Sequence, residues 1–107
     1  MRDDMQFLVI GRDGTDENAP DRRMAVREDH LALAVKMLEC GRWLYAAAIL
    51  NESGQMTGSV IICDFPSREA LQKEWLDREP YITGNVWQTV EISRARVPAF
   101  LKKGDGE

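Results

Sequence analysis

At 107 residues, with 44% apolar and 30% charged side chains, the chain has the composition of one globular domain. A chain of this size buries roughly two-thirds of its unfolded surface, so it can close a core without metal or disulfide. Eighteen acidic against 14 basic residues leave a net charge of −4, which argues against nucleic acid and against an anionic membrane surface, and no run approaches the ~20 apolar residues of a membrane span.

The N-terminal M-R-D-D-M-Q lacks the basic-then-apolar order of a secretion signal. Two cysteines, Cys40 and Cys63, are too few for a disulfide scaffold, and their spacing matches no zinc pattern. Both read as reduced and buried, in a cytoplasmic protein. The single histidine, His30, excludes a His-rich metal site within one chain.

M-Q-F-L-V-I-G at 5–11 is a short apolar run closed by glycine, a strand signal. Residues 12–21, with Gly, Asn and Pro and no periodicity, read as a loop. Asp21 is placed to cap a helix running to about Cys40, with Gly41 as its stop. Met24, Leu31, Val35 and Leu38 recur on it at helical spacing and predict an apolar stripe. W-L-Y-A-A-A-I-L at 43–50 and T-G-S-V-I-I-C-D-F at 57–65 read as a hairpin about the polar turn 51–55. Pro66-Ser67 opens a second helix, with Ala70, Leu71 and Trp75 on one side, and Pro80 ends it near Arg78. A last strand spans 85–92, and the tail ends in K-K-G-D-G-E, a frayed segment.

The order β-α-β-β-α-β is the ferredoxin-like plan, an α+β fold in which two helices cover one face of a four-stranded antiparallel sheet. The whole chain reads as this single domain, about 5–97 as core and 98–107 as tail. Segments 8–10, 47–50 and 60–63 are apolar at both parities, so the second sheet face also needs a cover. The same face of a second copy, in a two-fold homodimer, is the expected cover; the alternative is a C-terminal tail carrying Phe100 and Leu101 back across it.

Arg23, Arg27 and His30 share one helix face, since they are four and three residues apart. Arginines near a helix N-terminus oppose the macrodipole preference, which points to a use beyond stability. Imidazole is suited to general base work near neutral pH, and it works best with a carboxylate on its other nitrogen. Glu79 is a candidate: Pro80 restricts it to extended geometry, and it follows the helix expected beside the first. Ser59, after Gly58 at a strand start, can donate to a ligand oxygen. Asp13 reads first as a turn residue, or else as an acid at a strand end that positions Arg23. The loop behind Asp13 could act as a lid. The cysteines read as core fillers, and Trp43, Trp75 and Trp87 as core or interface.

In order, the first strand with its Asp13, R-x-x-x-R-x-x-H-L from Arg23 to Leu31, G-R at 41–42, T-G-S-V-I-I-C-D-F and W-L-D-R-E-P-Y resemble the YCII (YciI-like) family. The resemblance covers about Phe7 to Phe100. It implies a ferredoxin-like fold paired into a dimeric α+β barrel, a His–carboxylate dyad, and no metal or organic cofactor. A characterised activity of the family is dehydrochlorination of a chlorinated hydroxyhydroquinone. By this likeness His30 is the base, Glu79 the dyad acid, and Pro80 its orienting neighbour. Arg23 and Ser59 hold a substrate oxyanion, and Asp13 steadies Arg23. Arg27, from the basic helix face it shares with Arg23 and His30, and Tyr81, beside Pro80, are further candidates for the substrate site. Two departures stand out: Glu79-Pro80 replaces the family's Asp-Pro, and Ala47-Ala48 replaces a Gly-Pro that often ends the second strand. The expectation is a cofactor-independent enzyme abstracting a proton from a small oxygenated cyclic compound. The alternative is a non-catalytic dimer that binds a small ligand or regulates a partner.

Overall fold

The computed structural model describes residues 5–101. Strand β1 (Met5–Asp13) leads to helix α1 (Ala19–Glu39), then β2 (Trp43–Leu50), β3 (Met56–Phe65) and helix α2 (Arg68–Glu74). A 3-10 turn (Leu76–Arg78), a short helix α3 (Pro80–Thr83) and strand β4 (Trp87–Ala95) complete the plan. The four strands form one sheet in the order β2-β3-β1-β4, with every neighbouring pair antiparallel. This is the α+β ferredoxin-like arrangement expected from the sequence.

Local chemistry accounts for most boundaries. The Ser67 hydroxyl accepts from Ala70 N–H at 3.0 Å and caps α2, a bond type that contributes about 1 kcal/mol. Gly41, at φ 81°, closes α1. Its N–H bonds to Leu38 O and that of Arg42 to Met37 O, the paired bonds of a glycine-terminated helix. The start of α1 differs from expectation. Asn18, not Asp21, occupies the N-cap position, without a capping bond from its side chain, and Pro20 lies in the first turn, where its fixed φ and missing N–H cost nothing. The 12–21 loop is correspondingly shorter. Strand β1 runs two residues further than expected, to Asp13, and β4 is displaced to 87–95. The second helix is interrupted: α2 stops at Glu74, and Pro80 begins α3 rather than merely ending a helix.

The apolar stripe predicted for α1 faces outward. Met24, Leu31, Val35 and Leu38 are all exposed, and Leu31, Val35 and Leu38 form with Leu44 and Tyr45 the wall of an apolar surface groove. The inward face of α1 instead buries Ala19, Arg23, His30 and Met37. The core beneath it is supplied by Phe7, Val9, Ile61, Phe65 and Leu71 together with the aromatic group Trp43, Trp75, Tyr81 and Trp87. Cys63 is buried among them, but Cys40, expected inside, is exposed. Burial, reinforced by the Asp64 carboxylate, pushes the Cys63 thiol up to about 12, so it carries negligible thiolate at neutral pH.

Trp87 lies directly over Gly11: a Cβ there would come within 2.2 Å of the indole ring. Gly11→Ala should therefore lose about 1–3 kcal/mol by overpacking. Urea unfolding followed by tryptophan fluorescence measures it, and an unchanged midpoint would refute the contact.

Pairing register puts Leu8, Ile62 and Tyr45, and then Ile10, Val60 and Ala47, in rows on the sheet face away from the helices. The segment after β4 crosses one end of that face: Val97 N–H donates to Gln6 Oε1 at 2.6 Å, and the Tyr45 hydroxyl donates to Leu101 O. Phe100 itself projects outward, 86% exposed. The terminal K-K-G-D-G-E lies outside the described residues.

Candidate active site

His30 and Glu79 meet. His30 Nδ1 lies 2.6 Å from Glu79 Oε2, although the residues are 49 apart in the chain. The extra methylene of glutamate is absorbed by a specific fold-back. Glu79 is the N-cap of α3, with Oε2 accepting from Tyr81 N–H at 3.0 Å, while Oε1 accepts from the Trp75 indole N–H at 2.8 Å. Its backbone is extended, at φ −67° and ψ 119°, as a following proline demands. The residue is 0% exposed, and a buried carboxylate is tolerated only where such donors surround it. A carboxylate can only accept, so Nδ1 carries a proton, and in the neutral imidazole of this tautomer Nε2 presents its lone pair.

Tyr81 stacks on the imidazole at 3.8 Å between ring centroids, tilted by 13°. The Arg23 guanidinium sits 4.5 Å from the centre of the same ring. Burial raises the Tyr81 phenol above its usual range, against the pull of Arg23 and Arg27, so it stays neutral at physiological pH.

Arg23, 3% exposed, is held on two sides. Nη1 donates to both oxygens of Asp13 at 3.2 Å, while Nη2 donates to Gly58 O at 3.1 Å and to Ser59 Oγ at 2.9 Å. Asp13 is therefore the strand-end acid that positions the arginine. Burial pushes its carboxyl up, and the charge and hydrogen bonds of Arg23 pull it back. Because Ser59 Oγ accepts from Arg23, its own O–H is left to donate elsewhere.

These side chains converge on one cavity of about 170 Å³. His30, Arg23, Arg27, Ser59, Tyr81 and Trp43 line it, with Ala46, Ala47 and Ala48 of β2. Ala47 and Ala48 thus form part of its wall. Pro80 does not line it and acts through the backbone of Glu79. A second cavity of about 500 Å³ lies under the 14–17 loop and adjoins the first at Met56. That loop is pinned by Arg22, which binds Asp16 through two bonds of 2.8 Å; Arg22 holds the Asp16 carboxyl down at about 2. Among the described residues no cluster of three His, Cys, Asp or Glu side chains is placed to hold a metal ion.

Sequence reasoning missed two participants. Trp75, read as core, also fixes Glu79 through its indole N–H; the only available signal was its position four residues before the acid. Trp43, likewise read as core or interface, lies 5.9 Å from His30 by ring centroids and lines the cavity.

Comparison with known proteins agrees with this architecture. Over 94 residues the chain is 33% identical to protein YciI of Escherichia coli O6:H1, covering 82% of this chain and 93% of that one. It is 32% identical, with the same coverage, to a Haemophilus influenzae protein. Among solved structures it resembles the 5-chloro-2-hydroxyhydroquinone dehydrochlorinase of Burkholderia phenoliruptrix AC1100, determined with 2,5-dihydroxybenzoquinone. The TM-score is 0.74 at 17% identity, over 88% of this chain and 96% of that one. A dimeric ferredoxin-like protein from an uncultured marine organism matches at TM-score 0.53 and 15% identity, over 88% of each chain. No helix among the described residues is long and apolar enough to cross a membrane. Residues 5–96 match the YCII-related domain, and the chain belongs to the YCII family.

Proposed function

We propose that the protein is a cytoplasmic, cofactor-independent enzyme that removes a proton from a small oxygenated cyclic compound, with elimination or isomerisation as the outcome. The observation that carries this reading is the 2.6 Å His30–Glu79 contact at the wall of a cavity. His30 Nε2 is the base. Glu79 fixes the tautomer and stabilises the imidazolium that forms, the role of the acid in other oriented histidine pairs. The enolate oxygen that develops receives the spare Ser59 O–H, a fixed donor of the kind that lowers such barriers most. Arg23 is a positioning residue: both Nη groups are committed to Asp13, Gly58 and Ser59, so it acts on the substrate through Ser59. The similar dehydrochlorinase fold, solved with a dihydroxybenzoquinone, supports a ring-sized oxygenated substrate.

The apolar rows on the open sheet face and the similarity to a dimeric ferredoxin-like protein support a two-fold homodimer joined through that face. The outward apolar groove beside β2 favours a second reading, a binding or regulatory dimer without chemistry.

Deuterium incorporation from heavy water into a panel of small quinols, lactones and cyclic ketones separates the two. The enzyme should exchange at least one of them, and His30→Gln should slow exchange by about 10²–10⁴-fold while leaving the fold and assembly intact. Equal rates in both proteins, or no exchange in any compound, would favour the binding reading.

A further inference from the structure

We propose that the molecule bound beside His30 is a small organic anion, a single six-membered ring or its equivalent in bulk bearing a carboxylate, and that Arg27 binds that carboxylate. This rests on the reading of the cavity as the site of proton abstraction, and adds to it the charge and size of the substrate.

The size follows from the cavity. Its volume of about 170 Å³ is close to the roughly 150 Å³ at which an engineered protein cavity admits benzene. One ring fits.

The charge follows from an inventory of partners. Two of the three basic side chains on the cavity wall are matched from within: Arg23 by Asp13 at 3.2 Å, and His30 by Glu79 at 2.6 Å. Arg27, half-buried on the same wall, has no ion pair or hydrogen bond among the described residues. The helix gives it none, because the positions three and four away on its face are Arg23, Met24, His30 and Leu31. Its charge nevertheless reaches the cavity interior, where it acts on the Tyr81 phenol. What the wall lacks is acceptors with negative charge, and a carboxylate matches a guanidinium fork with two parallel bonds. Arg27 and His30 lie one helical turn apart, so a ring anchored by its acid group at Arg27 places its remaining carbons beside Nε2.

The test uses benzoate, its neutral counterpart benzamide, and hydroquinone, titrated into the full-length protein. Binding is read from the His30 imidazole resonances and from tryptophan fluorescence. Benzoate should bind about ten-fold or more tightly than benzamide. Arg27→Gln should abolish that preference by weakening benzoate about ten-fold or more relative to benzamide, and Arg27→Lys should retain part of it. Equal affinity for benzoate and benzamide, or a benzoate affinity indifferent to Arg27→Gln, would overturn the assignment. If hydroquinone still shifts the His30 resonances in that case, the acid–base reading of the cavity survives and only the carboxylate is wrong. If none of the three probes moves His30, the cavity is not a ring site and both readings fall.

Discussion

Glu79→Ala should cost about 3–5 kcal/mol of folding free energy, which for a chain of this length lowers the thermal midpoint by about 15–25 °C. The magnitude comes from what the substitution strands. Three buried N–H groups, the Trp75 indole, the Tyr81 backbone amide and His30 Nδ1, donate to this one carboxylate. Each loses its acceptor in a site closed to water, and α3 loses its cap. Glu79→Gln keeps the shape but offers one accepting oxygen, so at least one of the donors faces an NH₂ group; about 1–3 kcal/mol is the expected cost. Urea denaturation of both variants provides the measurement. An alanine variant as stable as the parent would show that these contacts do not hold the fold together. On the proposed acid–base reading, proton exchange should slow in the glutamine variant too, since the amide cannot stabilise an imidazolium as a carboxylate does.

Arg23→Met should be comparably damaging, by about 3–5 kcal/mol at neutral pH, because it leaves the buried Asp13 carboxylate without its ion-pair partner, with only the more distant charge of Arg22 to offset it. This loss has a pH signature. Burial holds the folded pKa of Asp13 above its unfolded value. Its contribution to stability is therefore complete below the ordinary carboxylate range and is lost as pH rises through the raised folded value. Removing Arg23 removes the two largest of the three attractions that moderate the shift and leaves only that of Arg22, so the folded value climbs further and the loss at neutral pH deepens. The deficit of Arg23→Met relative to the parent should be greatest near pH 7 and shrink as the solution is acidified toward pH 4. Adding Asp13→Asn to Arg23→Met should recover part of the neutral-pH loss, by about 0.5–3 kcal/mol of coupling. Denaturation curves at both pH values decide the matter; a deficit that grows on acidification would contradict the burial of Asp13 as an ion.

The strands were legible because apolar runs bounded by Gly, Pro and polar turns have few other readings. The facing of α1 was not. Leu31, Val35 and Leu38 share a stripe, and periodicity assigns such a stripe to the core. Here the inward face belongs to the site instead, and the burial it needs is met by large aromatic side chains from β2, β4 and the α2–α3 segment. The pairing of Arg23 with Ser59 and of His30 with Glu79 could be anticipated only as residue chemistry plus family resemblance, since separations of 36 and 49 residues carry no local signal. Helix α3 was invisible for another reason: four residues are too few to show a period. The proline that ends one helix also pre-sets the first turn of the next.

The triple duty of Glu79 bears on how this family can drift. A residue that caps a helix, anchors an indole and faces a histidine is retained by selection for folding alone. A descendant that had abandoned chemistry altogether would still keep its acid and its proline. Arginine at position 27 answers to no such structural demand, so its replacement across related chains, rather than that of the acid, is where loss or change of activity would be recorded.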